Sequence, residues 1–247
     1  MILLEVAPSS EREHSPANVN LHLLQASGRL KEHIPNIERN FEQTLSRVRE
    51  KIDVTDVVVY DNPRGAIPEV GIGGRAVTDH FILISLDPEF ERFTEVISKQ
   101  LPRSLAHELY HCLRYQELGF NRNLLQAMID EGLADHFSYE ITDLDLQPWD
   151  KALNPEQIKR FGTRALKECR NERYNHDAWF YGSSQQRFSR KPKIPRWAGY
   201  TLGHMMVEEY FKINPGTEAS ELYNVEAEEF YGCLEKIVED SQTVKKE

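Results

Sequence analysis

The sequence predicts an α+β fold with a small mixed sheet, one helix that carries a polar motif, and a mainly helical C-terminal lobe. Two short apolar runs, at residues 57–60 and 81–84, are typical of buried strands. The rest of the chain after them shows helical periodicity, with residues that favour helix starts and ends at fitting places. Composition agrees, because 247 residues that are 40 % hydrophobic and 28 % charged can bury a sizeable core.

The N-terminal region predicts a lead-in, a helix and a turn. Residues 1–20 are polar and rich in proline and serine, so we expect them to be poorly ordered, and residues 21–247 to form one two-lobed domain with its cleft near residues 107–135. The segment Gly71–Gly74 lacks the full pattern of a phosphate-binding loop and is interpreted as a flexible turn between the strands. Apolar residues at helical spacing predict one long helix through Leu30, Ile34, Ile37, Phe41, Leu45, Val48 and Ile52.

An H-E-x-x-H motif begins at His107 and ends at His111. On an α-helix these positions lie about 40° apart around the axis and about 6 Å apart along it, so both imidazoles can bind one cation. The apolar stripe of Leu105, Leu109 and Leu113 places both histidines on the opposite side of the helix. Two imidazoles and one carboxylate form the protein ligands of a catalytic zinc site, with a fourth position left for water.

The carboxylate of such a site is expected from the next helix. Gly119 can end the motif helix, and Asn121 or Asn123 can cap the next one, so the second helix folds back over the first. Glu131 lies at the edge of the apolar face of that helix and is the favoured ligand, with Asp130 as the alternative. Gly132 is expected to let the two helices approach each other.

Three further side chains are candidates for supporting roles. Asp135 lies one turn after Glu131 and can accept a hydrogen bond from the non-ligating nitrogen of a histidine, or be an ordinary solvated carboxylate. A hydrogen-bond donor is needed for the oxyanion that forms when hydroxide adds to a carbonyl. Tyr200 and His204 are candidate donors one turn apart on a helix expected from about residue 197 to 212, although packing roles are the alternative for both.

These residues resemble the gluzincin group of zinc metallopeptidases, in which H-E-x-x-H is followed on a later helix by E-x-x-x-D. Within that group the chain is most similar to the predicted Zn-dependent proteases of the family DUF2268. The similarity covers roughly residues 100–212 and is carried by the segments HELYHCLR, DEGLADHF, WFYG and WAGYTLG.

The resemblance implies a zincin-like fold and a role for each motif position. His107, His111 and Glu131 would be the ligands of one Zn²⁺ ion. Glu108 would be the general base that takes a proton from the metal-activated water and passes it to the leaving nitrogen. Asp135 would hold the first histidine.

The resemblance also favours Tyr200 over His204 as the oxyanion donor. Related peptidases place an edge strand just before the metal helix, where it pairs with an extended substrate, so the run 81–84 is either such an edge strand or an interior one. We therefore expect zinc-dependent hydrolysis of peptide or protein substrates. The alternatives are a zinc hydrolase of a non-peptide amide or ester, and a metal-stabilised binding module without turnover, against which Glu108 argues.

Charge and cysteine content limit the other function classes. A net charge of −10 argues against binding to DNA or anionic membranes, and no stretch approaches the roughly 20 apolar residues of a membrane span. The apolar start at residues 1–4 is too short for a signal-peptide core. Cys112, Cys169 and Cys233 form an odd set without C-x-x-C spacing, which predicts reduced thiols in a cytoplasmic protein, with Cys112 in a packing role. Spacing carries no signal for oligomeric state.

A basic stretch follows the aromatic segment WFYG. It is interpreted either as a solvated loop that balances an acidic protein or as a lid over the cleft that selects acidic groups. Its members are Arg187, Arg190, Lys191, Lys193 and Arg196.

Overall fold

The structure is a computed structural model that describes residues 17–182 and 193–243, with a small sheet first and helices after it. The strands are β1 (Ala17–Leu24), β2 (Ile52–Asp61), β3 (Ile72–Thr78) and β4 (Phe81–Leu86). The helices are α1 (Ile34–Leu45), α2 (Phe93–Glu95), α3 (Leu101–Leu118), α4 (Leu124–Thr142), α5 (Pro155–Glu168), α6 (His176–Phe180), α7 (Ala198–Ile213) and α8 (Tyr231–Thr243). The predicted α+β class with a small mixed sheet is confirmed.

The four strands have the order β1-β2-β4-β3. β1, β2 and β4 are parallel, and β3 runs antiparallel to β4. Both predicted strands therefore exist, and β4 is an interior strand, not an edge strand. Alternate residues of β2, such as Val57 and Val59, are fully buried, while Val54 on the opposite face is 55 % exposed. In the described part of the chain, the face that carries Val57 and Val59 is the one buried in the core.

The sheet edge next to the helices is formed by the glycine-rich segment. β3 begins at Ile72, so the interpretation of Gly71–Gly74 as a flexible turn is wrong. Glycine serves here to let backbone and side chains approach closely. A Cβ atom on Gly73 would lie 2.2 Å from the carbonyl oxygen of Gly65, and one on Gly74 would lie 2.4 Å from Oε1 of Glu108. The strand can therefore lie directly against the motif helix.

Two N-terminal boundaries differ from the expectation. β1 begins at Ala17, inside the lead-in expected for residues 1–20, because its apolar residues pair with β2, as Leu21 does with Val57. Residues 1–16 lie outside the described part of the chain. The long helix predicted to reach Ile52 ends at Leu45. Val48 and Ile52 are buried as the periodicity indicated, but they reach the core from a turn and from the start of β2.

The motif helix α3 continues a helical run that starts at Phe93, with a π-helical turn at residues 96–100 between α2 and α3. Pro102 follows this turn, and its ring cannot pack regularly against the carbonyl of Ser98 one turn earlier, which favours a widened turn there. Gly119 ends α3 with φ +76°, as predicted. Asn123 caps α4 through a reciprocal pair of hydrogen bonds with Gln126. The two helices are thus joined by a tight turn.

The C-terminal helices pack around α4. α7 crosses α4 where Gly132 faces Gly203, so Gly132 makes room for α7 and not for α3 as expected. A Cβ atom on Gly203 would lie 1.9 Å from the carbonyl oxygen of Met128. α7 closely matches its predicted range. Among the described residues, no helix combines the length and apolar character needed to cross a bilayer.

The glycine contact between α4 and α7 predicts that a single added methyl group lowers the stability of the protein. We expect Gly203→Ala to lower the free energy of unfolding by about 1–3 kcal/mol, because the added carbon must displace helix backbone. Gly232→Ala in α8 is the matched control, since a Cβ atom there meets nothing within 4 Å and alanine favours helix. Urea unfolding of both variants checks this, and equal midpoints would contradict it.

Candidate metal centre

Two histidines of α3 point their Nε2 atoms at each other. His107 and His111 lie one turn apart, and the distance between their Nε2 atoms is 3.0 Å. The side chain of His111 is 6 % exposed and that of His107 is 13 % exposed. The turn of α3 that carries them is buried between the sheet and the C-terminal helices, so both imidazoles are fixed by packing on either side.

Glu131 of α4 completes a triangle of donor atoms. Its Oε2 lies 3.2 Å from Nε2 of His107 and 3.6 Å from Nε2 of His111. In a tetrahedral zinc site with bonds of 2.0–2.1 Å, two ligand atoms are separated by about 3.3 Å. The three observed separations lie around that value, so the donor set fits a tetrahedral ion in both chemistry and spacing. The structure thus brings together the three ligands that the sequence predicted.

Two further carboxylates of α4 hold the other nitrogens of the histidines. Oδ1 of Asp135 lies 2.9 Å from Nδ1 of His107, as the sequence predicted. Oδ2 of Asp130 lies 2.8 Å from Nδ1 of His111. Asp130, the alternative ligand, therefore has the same supporting contact as Asp135. Each contact fixes the ring orientation and leaves Nε2 free to bind a metal ion.

These carboxylates are themselves held by side chains that the sequence reasoning did not identify. Trp149 donates from Nε1 to Oδ2 of Asp135 at 3.0 Å. Arg114 donates from Nε to Oδ1 of Asp130 at 3.1 Å, and Asn121 donates to Oδ2 of the same residue at 2.8 Å. Only Arg114 had a signal in the sequence, because it lies three residues after His111 and so on the same side of α3. Trp149 and Asn121 reach the site from irregular segments.

Opposite charges balance one another within this buried cluster. Burial alone would lower the pKa of His107, but the negative charge and hydrogen bond of Asp135 outweigh it and raise the pKa to about 10. His111, next to Asp130 and Glu131, also has a pKa well above its usual range despite burial. Burial would raise the pKa of Glu131, but the two imidazoles hold it well below its usual range. A bound cation would replace the protons on the imidazoles.

Glu108 lies between the metal centre and the sheet edge. Its side chain is buried, and Oε2 accepts a hydrogen bond from the backbone N–H of Ala76 in β3 at 2.6 Å. Burial raises the pKa of this carboxyl group above its usual value. The contact depends on the glycine at position 74, where any side chain would collide with Glu108. One carboxylate oxygen is therefore anchored, and the residue lines both cavities that border the metal centre.

The two candidate oxyanion donors lie in different places. Tyr200 lines both cavities that border His107 and Glu108. His204 is 1 % exposed, stacks on His136 with ring centroids 4.4 Å apart, and lies outside the lining of both cavities within the described residues. The structure thus brings only Tyr200 to the centre. Helical spacing puts both residues on one face of α7. His204 is nevertheless buried against His136, whereas Tyr200 borders the two cavities.

Two cavities meet at the metal centre. The first, which we call the apolar pocket, lies between the β2–β3 connection and Trp149 and has a volume of about 100 Å³. The second, the polar cleft, has a volume of about 470 Å³ and is lined by Arg75, His111, Glu131 and His176 among others. The residues that line both are Gly74, His107, Glu108, Tyr181 and Tyr200. Tyr181 belongs to the WFYG segment, but nothing in its spacing predicted a place at the site.

The remaining sequence candidates lie away from the donor triangle or outside the described residues. Cys112 is buried, and its thiol lies 3.5 Å from the carbonyl oxygen of Thr78, consistent with packing. Of the basic stretch, Arg187, Arg190 and Lys191 lie outside the described residues. Lys193 is exposed. Arg196 forms an ion pair with Glu69 at 2.6 Å.

The contact between Trp149 and Asp135 predicts an effect on metal affinity. We expect Trp149→Phe to weaken zinc binding by about tenfold, since the ring is kept but Asp135 loses its N–H donor. Trp197→Phe is the matched control, because Trp197 lines the same pocket without a hydrogen bond to Asp135. Competition with a zinc-binding dye measures both affinities, and equal values for the two variants would refute the assignment.

Comparison with known proteins identifies the family of the chain. A family model described as "Predicted Zn-dependent protease (DUF2268)" matches residues 35–232, which include strands β2, β3 and β4, both motif helices and α7. No curated protein matched the chain. The matched range covers most of the sequence and all the residues gathered around the donor triangle. The chain belongs to the DUF2268 family of predicted Zn-dependent proteases.

Proposed function

We propose that this protein is a zinc-dependent peptidase with a zincin-like fold. The observation that carries the proposal is the triangle of His107, His111 and Glu131 with Glu108 buried beside it. A structural zinc site has four protein ligands and no use for an adjacent carboxylate. Three donors with a neighbouring base are the arrangement of a hydrolytic centre.

The chain's own residues supply the steps of hydrolysis. When bound, zinc would polarise the substrate carbonyl and lower the pKa of a water molecule. Glu108 accepts a proton from that water at the carboxylate oxygen that Ala76 does not hold, and the rise of its pKa on burial makes it a stronger base than a solvated carboxylate. Oxygen adds to the carbonyl carbon, the carbon–nitrogen bond breaks, and Glu108 returns the proton to the leaving nitrogen.

Tyr200 is the proposed donor to the oxyanion. It borders Glu108 and His107 in both cavities, and burial together with the charge of Glu131 raises the pKa of its hydroxyl well above the usual range. The hydroxyl therefore stays protonated and can donate a hydrogen bond as negative charge develops on the carbonyl oxygen. His204 has no such role in this proposal.

The position of β3 supports a peptide substrate over another amide or ester. β3 is an edge strand, and among the described residues a β-bridge on its outer side exists only at its first residue, Ile72, which pairs with Ile67, while the N–H of Ala76 is held by Glu108. From Gly74 onward its outer side faces the cavities at Glu108. An extended peptide can add to such an edge through main-chain hydrogen bonds, which would place one of its carbonyl groups near the donor triangle.

Replacement of the base tests the proposed function. We expect Glu108→Gln to retain zinc and to lower kcat by about 10²–10⁴-fold on any cleaved peptide, because glutamine cannot accept the proton. Glu117→Gln is the matched control, since Glu117 is an exposed carboxylate on the same helix. A peptide library cleaved by the zinc-loaded protein, with products identified by mass spectrometry, gives the rates, and zinc analysis gives the occupancy. Equal rates for Glu108→Gln and wild type would exclude the role of Glu108.

The two candidate oxyanion donors on α7, Tyr200 and His204, give opposite expectations for kcat when each is replaced. We expect Tyr200→Phe to lower kcat by about 10²–10³-fold with little change in zinc affinity, because it removes one oxyanion donor. Tyr210→Phe, on the same helix with its ring packed on Phe230, is the control and should retain activity. His204→Gln should alter stability more than kcat, since His204 lies outside both cavities in the described structure. A larger loss of kcat in His204→Gln than in Tyr200→Phe would reverse the assignment.

A further inference from the structure

The apolar pocket lies directly beside the proposed base, and four parts of the chain contribute its apolar walls. Ile67 and Val70 come from the β2–β3 connection, Ile72 from β3, and Trp149 and Trp197 from the segments before α5 and α7. Its volume of about 100 Å³ is of the same order as a 150 Å³ protein cavity that holds one benzene ring. The space therefore fits a single ring or a branched aliphatic side chain.

Aliphatic and indole side chains form much of the wall of the pocket. Val70 is 8 % exposed and Ile72 is 1 % exposed, so both face the pocket from within the core. The indole rings of Trp149 and Trp197 lie with centroids 6.1 Å apart. An apolar group that enters gains contact area on several sides and displaces water from apolar surface.

The charged residues around the pocket are already engaged with neighbours. Arg196 at the rim pairs with Glu69 at 2.6 and 3.2 Å and lies over the ring of Trp197 at 4.0 Å. Arg103 donates a hydrogen bond to the backbone carbonyl of Asp145 and lies over the ring of Tyr139. Glu108 and Asp135, which also line the pocket, are held by Ala76, His107 and Trp149. A charged substrate side chain would lose its hydration and would have to compete with these contacts for a partner.

Trp197 adopts a backbone conformation that a bulky residue rarely takes. Its φ is +67° and its ψ is +14°, in the left-handed region, at a cost of about 1–2 kcal/mol relative to a right-handed conformation. The segment turns there into α7, and the conformation brings the indole to the pocket beside Trp149. Such strain persists only where surrounding contacts favour it, and it is typical of ligand-binding sites.

We propose that the apolar pocket binds one large apolar side chain of the peptide substrate, next to the bond that is cleaved. This inference rests on the proposed function, because the pocket borders the residues proposed to cleave the peptide. It shares Gly74, His107, Glu108 and Tyr200 with the polar cleft. A peptide that lies along β3 with a carbonyl at those residues has a neighbouring side chain at the mouth of the pocket. Phenylalanine and leucine fit the volume, whereas lysine and glutamate do not fit the chemistry.

Cleavage specificity is the first part of the test. A peptide library on a fixed background is incubated with the zinc-loaded wild-type protein, and cleavage sites are mapped by mass spectrometry. We expect phenylalanine and leucine to exceed alanine by about tenfold or more at one position beside the cleaved bond, with lysine and glutamate disfavoured there. Cleavage that proceeds without an apolar preference on either side would overturn the pocket assignment while leaving the proposed function in place.

Ligand binding is the second part, and it does not depend on turnover. Zinc-loaded Glu108→Gln protein is titrated with N-acetyl amides of phenylalanine, leucine, alanine, lysine and glutamate. The signal is intrinsic tryptophan fluorescence, because two of the three tryptophans line the pocket. We expect the phenylalanine and leucine amides to bind at least about tenfold more tightly than the others. Selective binding without any cleavage of the library would refute the peptidase and keep the pocket, whereas equal binding of all five would refute the pocket.

A variant that fills the apolar pocket tests whether the amides detected by fluorescence bind there. We expect Val70→Phe to weaken binding of the phenylalanine amide by about tenfold or more, because the new ring occupies the same space. Val54→Phe adds the same bulk on the exposed face of β2 and should leave binding unchanged. Circular dichroism verifies the fold of both variants. Unchanged binding in folded Val70→Phe protein would place the ligand elsewhere.

Discussion

The hydrogen bonds from His107 to Asp135 and from His111 to Asp130 fix the relative position of the two central helices. All three acidic residues of the centre lie within two turns of α4, so a shift of α4 along α3 would break several contacts together. The groups are buried, and removal of one partner from a buried charge pair costs about 3–5 kcal/mol. The centre is therefore held by electrostatic complementarity even before a metal ion binds.

The third central helix, α7, is coupled to the same centre by two routes. The Gly132–Gly203 contact brings its backbone against α4, and Tyr200 lies one turn before that contact. The hydroxyl of Thr201 donates to the carbonyl of Trp149 at 2.6 Å, while the indole of Trp149 donates to Asp135. Helix packing thus places Tyr200, and a chain of hydrogen bonds connects its neighbour to the histidine pair.

The sequence could predict the parts of the site that depend on helical spacing, and little else. His107, His111, Glu131 and Asp135 come together because spacing along α3 and α4 determines which side chains share a face. The roles of Trp149 and Asn121 depend on where irregular segments pass in space, for which a single sequence has no periodic signal. The same limit explains β3, where glycines that typically mark a turn serve to bring a strand against Glu108. His204 shows that a shared helix face does not imply a shared cavity.

The two cavities at the centre differ in chemical character, because different elements surround α3 on its two sides. On one side, the β2–β3 connection and two indoles form an apolar wall, and on the other, Arg75, His176 and Glu131 line an open polar cleft. Glu108 lies at the boundary, where burial raises its pKa while the cleft admits water. A general base needs both conditions, because a fully solvated carboxylate is a weaker base and a fully enclosed one cannot reach its substrate. In the proposed function, the boundary between the pocket and the cleft is therefore where the base meets a bound chain.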